Sequence, residues 1–192
     1  VDKMEYLNLS IPTLLGTESI VANEIKKLGY ETTSVTDGMV NFLGDYEAVC
    51  LANINLRSAE RVMIHMGDFD AASFEELFVG VGKIEWEKYI GKNDAFPVSG
   101  HCLKSDLHSV PDCQSIIKKS IVKRLSGVYG ISYFEEADAM FPIKFSIMKN
   151  VVSMYIDTTG ENLYKRGYRE KTVLAPMRET LAYSMIDMSF WR

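Results

Sequence analysis

Between residue 4 and Phe69 the apolar residues change period in a set order, and that order leaves few folds open. Residues 4–11 alternate apolar and polar, the period of a half-buried strand, and Pro12 ends the run because proline has no N–H for a ladder. Ile20, Val21, Ile25 and Leu28 then return at helical spacing. Thr17 is expected to be the N-cap of that helix, with Glu18 in its first turn, Lys26 and Lys27 at its carboxyl end and Gly29 as its stop. Residues 30–36 and 39–43 read as two strands joined by Asp37 and Gly38, among the strongest short hairpin signals. Asp45 is expected to cap a second helix carrying Val49, Leu51, Ala52 and Ile54. Residues 61–69 alternate again, with Val62, Ile64 and Met66 on one face. Strand, helix, strand, strand, helix, strand is the order of a split β-α-β unit with both helices on one sheet face, so residues 1–70 are expected to be a ferredoxin-like domain.

The rest of the chain mixes the same elements in another order. Ser73 and Glu76 have capping-box spacing at the head of a short helix over 73–81, and Trp86 and Tyr89 lead into Gly91. Residues 71–93 are therefore expected to be a helical linker. Residues 95–104 read as a strand, and Pro111 and Asp112 open a helix of about four turns that ends at Gly127. On that helix Ile117, Ile121, Val122, Leu125 and Val128 share one side, while Lys119 and Lys123 lie on the other. Residues 143–148 and 151–157 are two strands with Lys149 and Asn150 as a two-residue connection. Pro176 is expected at the start of a last helix bearing Leu181, Met185, Met188 and Phe190. The fold class is α+β.

With 47% hydrophobic and 24% charged residues the composition is that of an ordinary globular protein, which excludes long disorder. Uncharged apolar stretches near 79–81 and 151–156 fall far short of the ~20 residues that span a bilayer, so no membrane segment is expected. Asp2, Lys3 and Glu5 precede an alternating stretch rather than an apolar run, unlike a secretory signal. Cys50, Cys102 and Cys113 are odd in number and fit reduced thiols in a cytoplasmic protein. The net charge of −5 conceals an asymmetry: residues 1–95 hold 8 Lys and Arg against 16 Asp and Glu, residues 96–192 hold 13 against 10. Only the second half is expected to approach a polyanion, because phosphate neutralisation supplies most sequence-independent nucleic-acid affinity.

The densest chemistry lies in residues 157–169, where Tyr164, Lys165, Arg166, Tyr168 and Arg169 fall within six positions after Gly160. Guanidinium groups and tyrosine rings pair with phosphates and stack on bases, although such runs are more often solvated surface. Lys118, Lys119, Lys123 and Arg124 form either a phosphate-facing patch or the wet side of an amphipathic helix. Lys104 and Ser105 end a strand near that helix's amino terminus, where backbone donors suit phosphate. Cys102, His108 and Cys113, with His101 nearby, match no standard zinc spacing, so no metal is expected; His65 reads as an ordinary strand histidine. Among nucleotide-binding and catalytic motifs, no glycine-rich strand-to-helix loop, P-loop, nucleophile elbow or His-Glu metal motif is present, and no catalytic residue is assigned. The chain begins without methionine and runs out in an apolar helical pattern ending on Phe190 and Trp191, which is the expectation for a piece of a longer protein.

Asp157 to Gly160, Leu163, Lys165 to Arg169 and the run from Ala175 to Ala182 resemble the amino-terminal half of the bacterial THUMP-containing RNA methyltransferases, whose studied members methylate guanine of large-subunit ribosomal RNA. Asp37-Gly38, Asn53, Leu56-Arg57, Arg61-Val62 and the stretch Phe74 to Phe78 resemble the same family's ferredoxin-like domain. The similarity implies a THUMP domain over 94–170 and, in 171–192, a linker with the first helix of a Rossmann-like methyltransferase domain that uses S-adenosylmethionine. It implies RNA rather than DNA as partner, ribosomal RNA ahead of tRNA, and contacts through Lys104, Ser105, Lys118, Lys119, Lys123, Lys165, Arg166 and Arg169. No cofactor or catalytic residue is implied within these residues, so the piece is expected to be inactive alone. Tyr164 departs from the family pattern, in which His is frequent. The alternatives are the THUMP module of a tRNA-modifying enzyme and a protein-interaction module without RNA binding; the oligomeric state is open.

Overall fold

The computed structural model describes residues 6–171, 174–189 and 191, which fall into two compact units: 1–64 with 158–192, and 65–157. The first residues of the expected opening strand (4 and 5) and Phe190 at the expected apolar end lie outside the described residues.

The first unit contains β1 (Leu7–Pro12), α1 (Glu18–Lys27), β2 (Thr32–Thr36), β3 (Met39–Gly44), α2 (Tyr46–Asn55) and the start of β4 (Met63–Asp70). Its strands lie in the order β2-β3-β1-β4, and each neighbouring pair is antiparallel. This is the ferredoxin-like arrangement that the element order implies. Leu7, Leu9, Ile11, Val40 and Phe42 supply the sheet's buried side chains, and Ile20, Val21, Ile25, Ala48 and Ala52 those of the two helices. The hairpin turns at Asp37 and Gly38, with Thr36 opposite Met39 and Gly38 in the left-handed region at φ +74°. Asp45 caps α2, accepting from Ala48 N at 2.8 Å. Thr17 does not cap α1: its hydroxyl donates to Leu14 O and bonds the Thr13 hydroxyl, while the Glu18 carboxylate accepts from Gly16 N and Gly38 N. A buried acid ties helix to loop, because Glu24 accepts from Arg57 N, Ser58 N and the Ser58 hydroxyl.

The second unit contains the later residues of β4, then α3 (Phe74–Lys83), a 3-10 turn (Trp86–Lys88), β5 (Val98–Leu103), α4 (Val110–Tyr129), β6 (Ile143–Met148) and β7 (Val151–Asp157). The strand order is β4-β7-β6-β5, with β5 parallel to β6 and β6 antiparallel to β7. Phe145, Ile147, Val152 and Met154 are buried, as are Ile117, Ile121 and Leu125 of α4. Residues 71–93 are part of this unit rather than a connection: the Ser73 and Glu76 capping box starts α3, Ser120 of α4 donates to Phe78 O, and Trp86 is fully buried with its indole N–H on Val81 O. The long helix runs through Gly127 to Tyr129 and is closed by Gly130 at φ +65°. Helix hydrogen bonding tolerates a glycine whose left-handed option is not used. Val128 is half exposed, outside the apolar face it was expected to join.

Residues 158–171 return to the first unit, followed by α5 (Glu179–Met188). That helix begins three residues after Pro176, behind Ala175 at φ +52°. The compact units divide after Ile64 and after Asp157.

Candidate nucleic-acid interface

The segment from Thr158 to Gly160 is an anchor. Asn53 Nδ2 donates to Thr158 Oγ1, Thr159 Oγ1 donates to Asn53 Oδ1, Val62 N donates to Thr159 Oγ1, and Arg61 Nη1 donates to Gly160 O at 2.8 Å. Both threonine hydroxyls and the Asn53 amide are used inside the unit, which explains why these residue types, about 100 positions apart in sequence, form one bonded set. Beyond it, Arg166 Nη2 donates to Asn53 O at 2.6 Å, near the carboxyl end of α2. Arg169 Nη2 donates to Met177 O and pairs with Glu179 at 3.4 Å. Arg178 lies over the Tyr164 ring at 5.2 Å and reaches Glu60, which also accepts from Thr180 Oγ1. Of the expected cluster, Lys165 and Tyr168 are the exposed members.

On α4 of the second unit the four cations also differ. Lys118 donates to Phe96 O, pairs with Glu136 and stands 3.6 Å from the Phe96 ring centre. Arg124 makes a two-pronged bond to Glu87 and donates to Gly82 O. The Arg124 hydrogen bond holds the Glu87 carboxyl below the usual carboxylate range, and Glu87 in turn raises Arg124. Lys119 and Lys123 are exposed, the latter over the Phe78 ring at 5.3 Å. Lys104 is exposed in a left-handed conformation at φ +50° just after β5. Ser105 Oγ donates to Leu103 O and accepts from Asn150 N, so it braces the loop.

Sorting charge by unit removes the asymmetry seen along the sequence. The first unit holds 11 Lys and Arg against 13 Asp and Glu, the second 10 against 13, because the basic residues after 157 fold back onto the acidic front. The eight candidate contacts divide likewise, with Lys165, Arg166 and Arg169 in the first unit and Lys104, Ser105, Lys118, Lys119 and Lys123 in the second. Sequence reading did not select His101, Lys144 or Lys149 as contacts. The signal was available in strand parity, since Lys144 and Ser146 alternate with the apolar residues Ile143, Phe145 and Ile147.

A cleft of about 840 Å³ in the second unit is lined by Asp68, Asp70, Glu75, Glu76 and Glu85 against Lys83 and Lys88, a net acidic rim that disfavours phosphate. Cys102 and Cys113 lie with Sγ atoms 3.8 Å apart, and His108 Nδ1 is on Asp106 O. Among the described residues no group of three or more His, Cys, Asp or Glu side chains is arranged to hold a metal ion. Nor, among them, is any helix long and apolar enough to cross a membrane.

Comparison with known proteins matches residues 8–63 to the RlmL ferredoxin-like domain and residues 71–157 to the THUMP domain. Two curated relatives are similar along almost the whole chain. YpsC of Bacillus subtilis, described as a candidate RNA methyltransferase, is 41% identical over 98% of this chain and 49% of its own length. The ribosomal RNA large subunit methyltransferase K/L of Psychromonas ingrahamii is 29% identical over 97% of this chain and 25% of its own. Two solved structures superpose closely. One, from Listeria monocytogenes, carries a sequence-based description as an N6-adenine-specific DNA methylase; it gives a TM-score of 0.93 at 42% identity over 98% of this chain and 50% of that one. The other, the methyltransferase-like protein SMU.472 complexed with SAH, gives 0.91 at 38% over 98% and 50%. The chain spans about half the length of YpsC and of these two structures. Residues 8–63 are thus an RlmL-type ferredoxin-like domain and residues 71–157 a THUMP domain.

Proposed function

We propose that these two domains are the RNA-binding and substrate-positioning portion of an S-adenosylmethionine-dependent RNA methyltransferase acting in the cytoplasm on guanine of 23S ribosomal RNA. What carries the reading is the pairing of the two domains, in this order, over residues 8–157 of a chain similar along nearly its whole length to methyltransferases. The relative bound to SAH supports S-adenosylmethionine as the whole protein's methyl donor. The described strand-to-helix connections carry no glycine-rich loop for such a cofactor, so no residue of this chain is assigned to it. In this reading α5 is the first helix of the catalytic domain. Lys104, Lys119, Lys123 and Lys165 contact phosphate. Ser105, Lys118, Arg166 and Arg169 shape the surface through the bonds they already make.

The test is binding of the chain to ribosomal RNA fragments, to tRNA and to duplex DNA across a salt series. Saturable binding to ribosomal RNA that weakens with salt is the expected result. Preference for tRNA moves the substrate to a tRNA-modifying enzyme, preference for DNA overturns the RNA assignment, and no binding at low salt leaves a protein-interaction module.

A further inference from the structure

The second unit's sheet has two unlike faces. One packs on α4: Cys102 meets Cys113, Gln114 donates to Val98 O, and Phe145 and Ile147 are buried. Side chains of opposite parity point the other way, and pairing brings them into three rows across β5, β6 and β7. The first row is Ser99, Lys144 and Tyr155, the second His101, Ser146 and Ser153, the third Leu103, Met148 and Val151. Lys144 Nζ donates to Ser99 Oγ at 2.9 Å, and Ser146 Oγ lies 3.1 Å from His101 Nε2, which shows that each row shares one side of the sheet.

The third row is an exposed aliphatic strip, with Leu103 50%, Met148 45% and Val151 41% exposed. It is bracketed by Lys104 and Lys149, both exposed and both left-handed at φ +50° and +52°. Their positions are braced. Lys149 N donates to Leu103 O, Asn150 N to Ser105 Oγ, and Asn150 Nδ2 to the Asp106 carboxylate, so the loop after β5 and the β6–β7 turn hold each other. No carboxylate stands at the nine positions of the three rows, and Asp157 at the end of β7 is buried. Tyr155 is itself buried against His65, which pairs with Asp68, and Asp106 is held by Asn150, so the open part of the face is Ser99, Lys144 and the second and third rows. In a unit with net charge −3, this face gathers three lysines and an imidazole.

We infer that this open face of β5, β6 and β7 binds a single-stranded RNA segment, its lysines on the phosphates and its aliphatic strip against the bases. The inference rests on the RNA reading proposed above and adds to it a surface and a substrate class. A sheet face cannot enter the deep, narrow major groove of A-form RNA, whereas unpaired bases lie flat on an apolar row while phosphates reach flanking cations. Ser99, Ser146 and His101 offer donors and acceptors to ribose 2′-hydroxyls, which tells RNA from DNA. A protein partner of comparable affinity would need a larger apolar area than one row of three side chains.

The experiment measures affinity of the chain for a single-stranded ribosomal RNA oligonucleotide and for its duplex, by fluorescence anisotropy over a salt series. Three proteins are compared: the unchanged chain, Lys144→Glu with Lys149→Glu, and Lys119→Glu with Lys123→Glu on α4. The sheet-face variant is expected to bind the single strand roughly 10-fold more weakly, with a salt slope shallower by about 1, while its melting curve is unchanged. Lys104→Glu with Lys149→Glu, confined to exposed loop positions, repeats the test should Lys144→Glu disturb the sheet. If the α4 variant loses affinity and both sheet-face variants keep it, the face is overturned and the RNA reading stands. Binding that favours the duplex and ignores the face variants also overturns it. Failure of the unchanged chain to bind any RNA removes the RNA reading itself.

Discussion

Arg166 separates two explanations of the basic segment, and replacing it with alanine decides between them. Its guanidinium donates to Asn53 O, one of the last four carbonyls of α2, which have no partner within a helix. A hydrogen bond from a charged donor contributes about 1.5–3 kcal/mol, and a cation at a helix carboxyl end about 0.3–1 kcal/mol. Because the residue is half-buried and the two contributions share one contact, the expected loss is about 2 kcal/mol, near the lower end of their sum. For a chain of this size that lowers the melting temperature by roughly 5 °C if the unit unfolds cooperatively. Urea denaturation followed by circular dichroism measures the loss, and RNA titration at about 50 mM salt measures affinity. Lys165→Ala is the companion, since that exposed side chain is expected to change stability by less than about 0.5 kcal/mol while weakening RNA binding. An Arg166→Ala protein that melts like the unchanged chain, yet loses as much RNA affinity as Lys165→Ala, would refute the tether and return the guanidinium to the RNA.

Two further outcomes follow from buried groups. Glu24→Gln presents an amide N–H2 to a site whose neighbours Arg57 N, Ser58 N and the Ser58 hydroxyl are all donors, so the first unit is expected to lose about 2–3 kcal/mol in the same urea experiment; a change under about 0.5 kcal/mol contradicts this account. Burial, with Cys102 adjacent, pushes the Cys113 thiol up to about 12. Alkylation at about pH 9, near the ordinary thiol range, should therefore modify exposed Cys50 quickly and leave Cys113 intact, and equal rates would contradict the burial. The raised thiol also sets a direction with pH. Its protonated form favours the folded state, a contribution that is whole below the ordinary value of 9.0 and is lost as pH rises from there towards 12.

Much of the fold was legible because its signals are local. Alternation marked β1, β3, β6 and β7, Asp37 and Gly38 turned the hairpin, Asp45 and Ser73 capped their helices, and Lys149 and Asn150, both at positive φ, made the tight turn. Thr17 failed as a cap for a reason also close at hand: the Thr13 hydroxyl and Leu14 O engage it first. The edges of the units were not legible, since whether Trp86 is buried, or whether 158–192 returns to the front of the chain, depends on partners far away in sequence.

The candidate interface divides the same way. By itself the sequence determined which elements form, which helix faces are wet and which residue types can meet a phosphate, because these follow from composition and from periods of 2 and 3.6. Only the tertiary structure decided which cations remain available. Arg124 is taken by Glu87, 37 positions earlier, Arg166 by Asn53, 113 earlier, and Lys118 by Glu136, 18 later. It likewise set Lys144 beside Ser99 and Ser146 beside His101, each 45 positions apart, through a parallel pairing that no local pattern records. A charge is a property of one residue, but its availability is a property of everything folded against it.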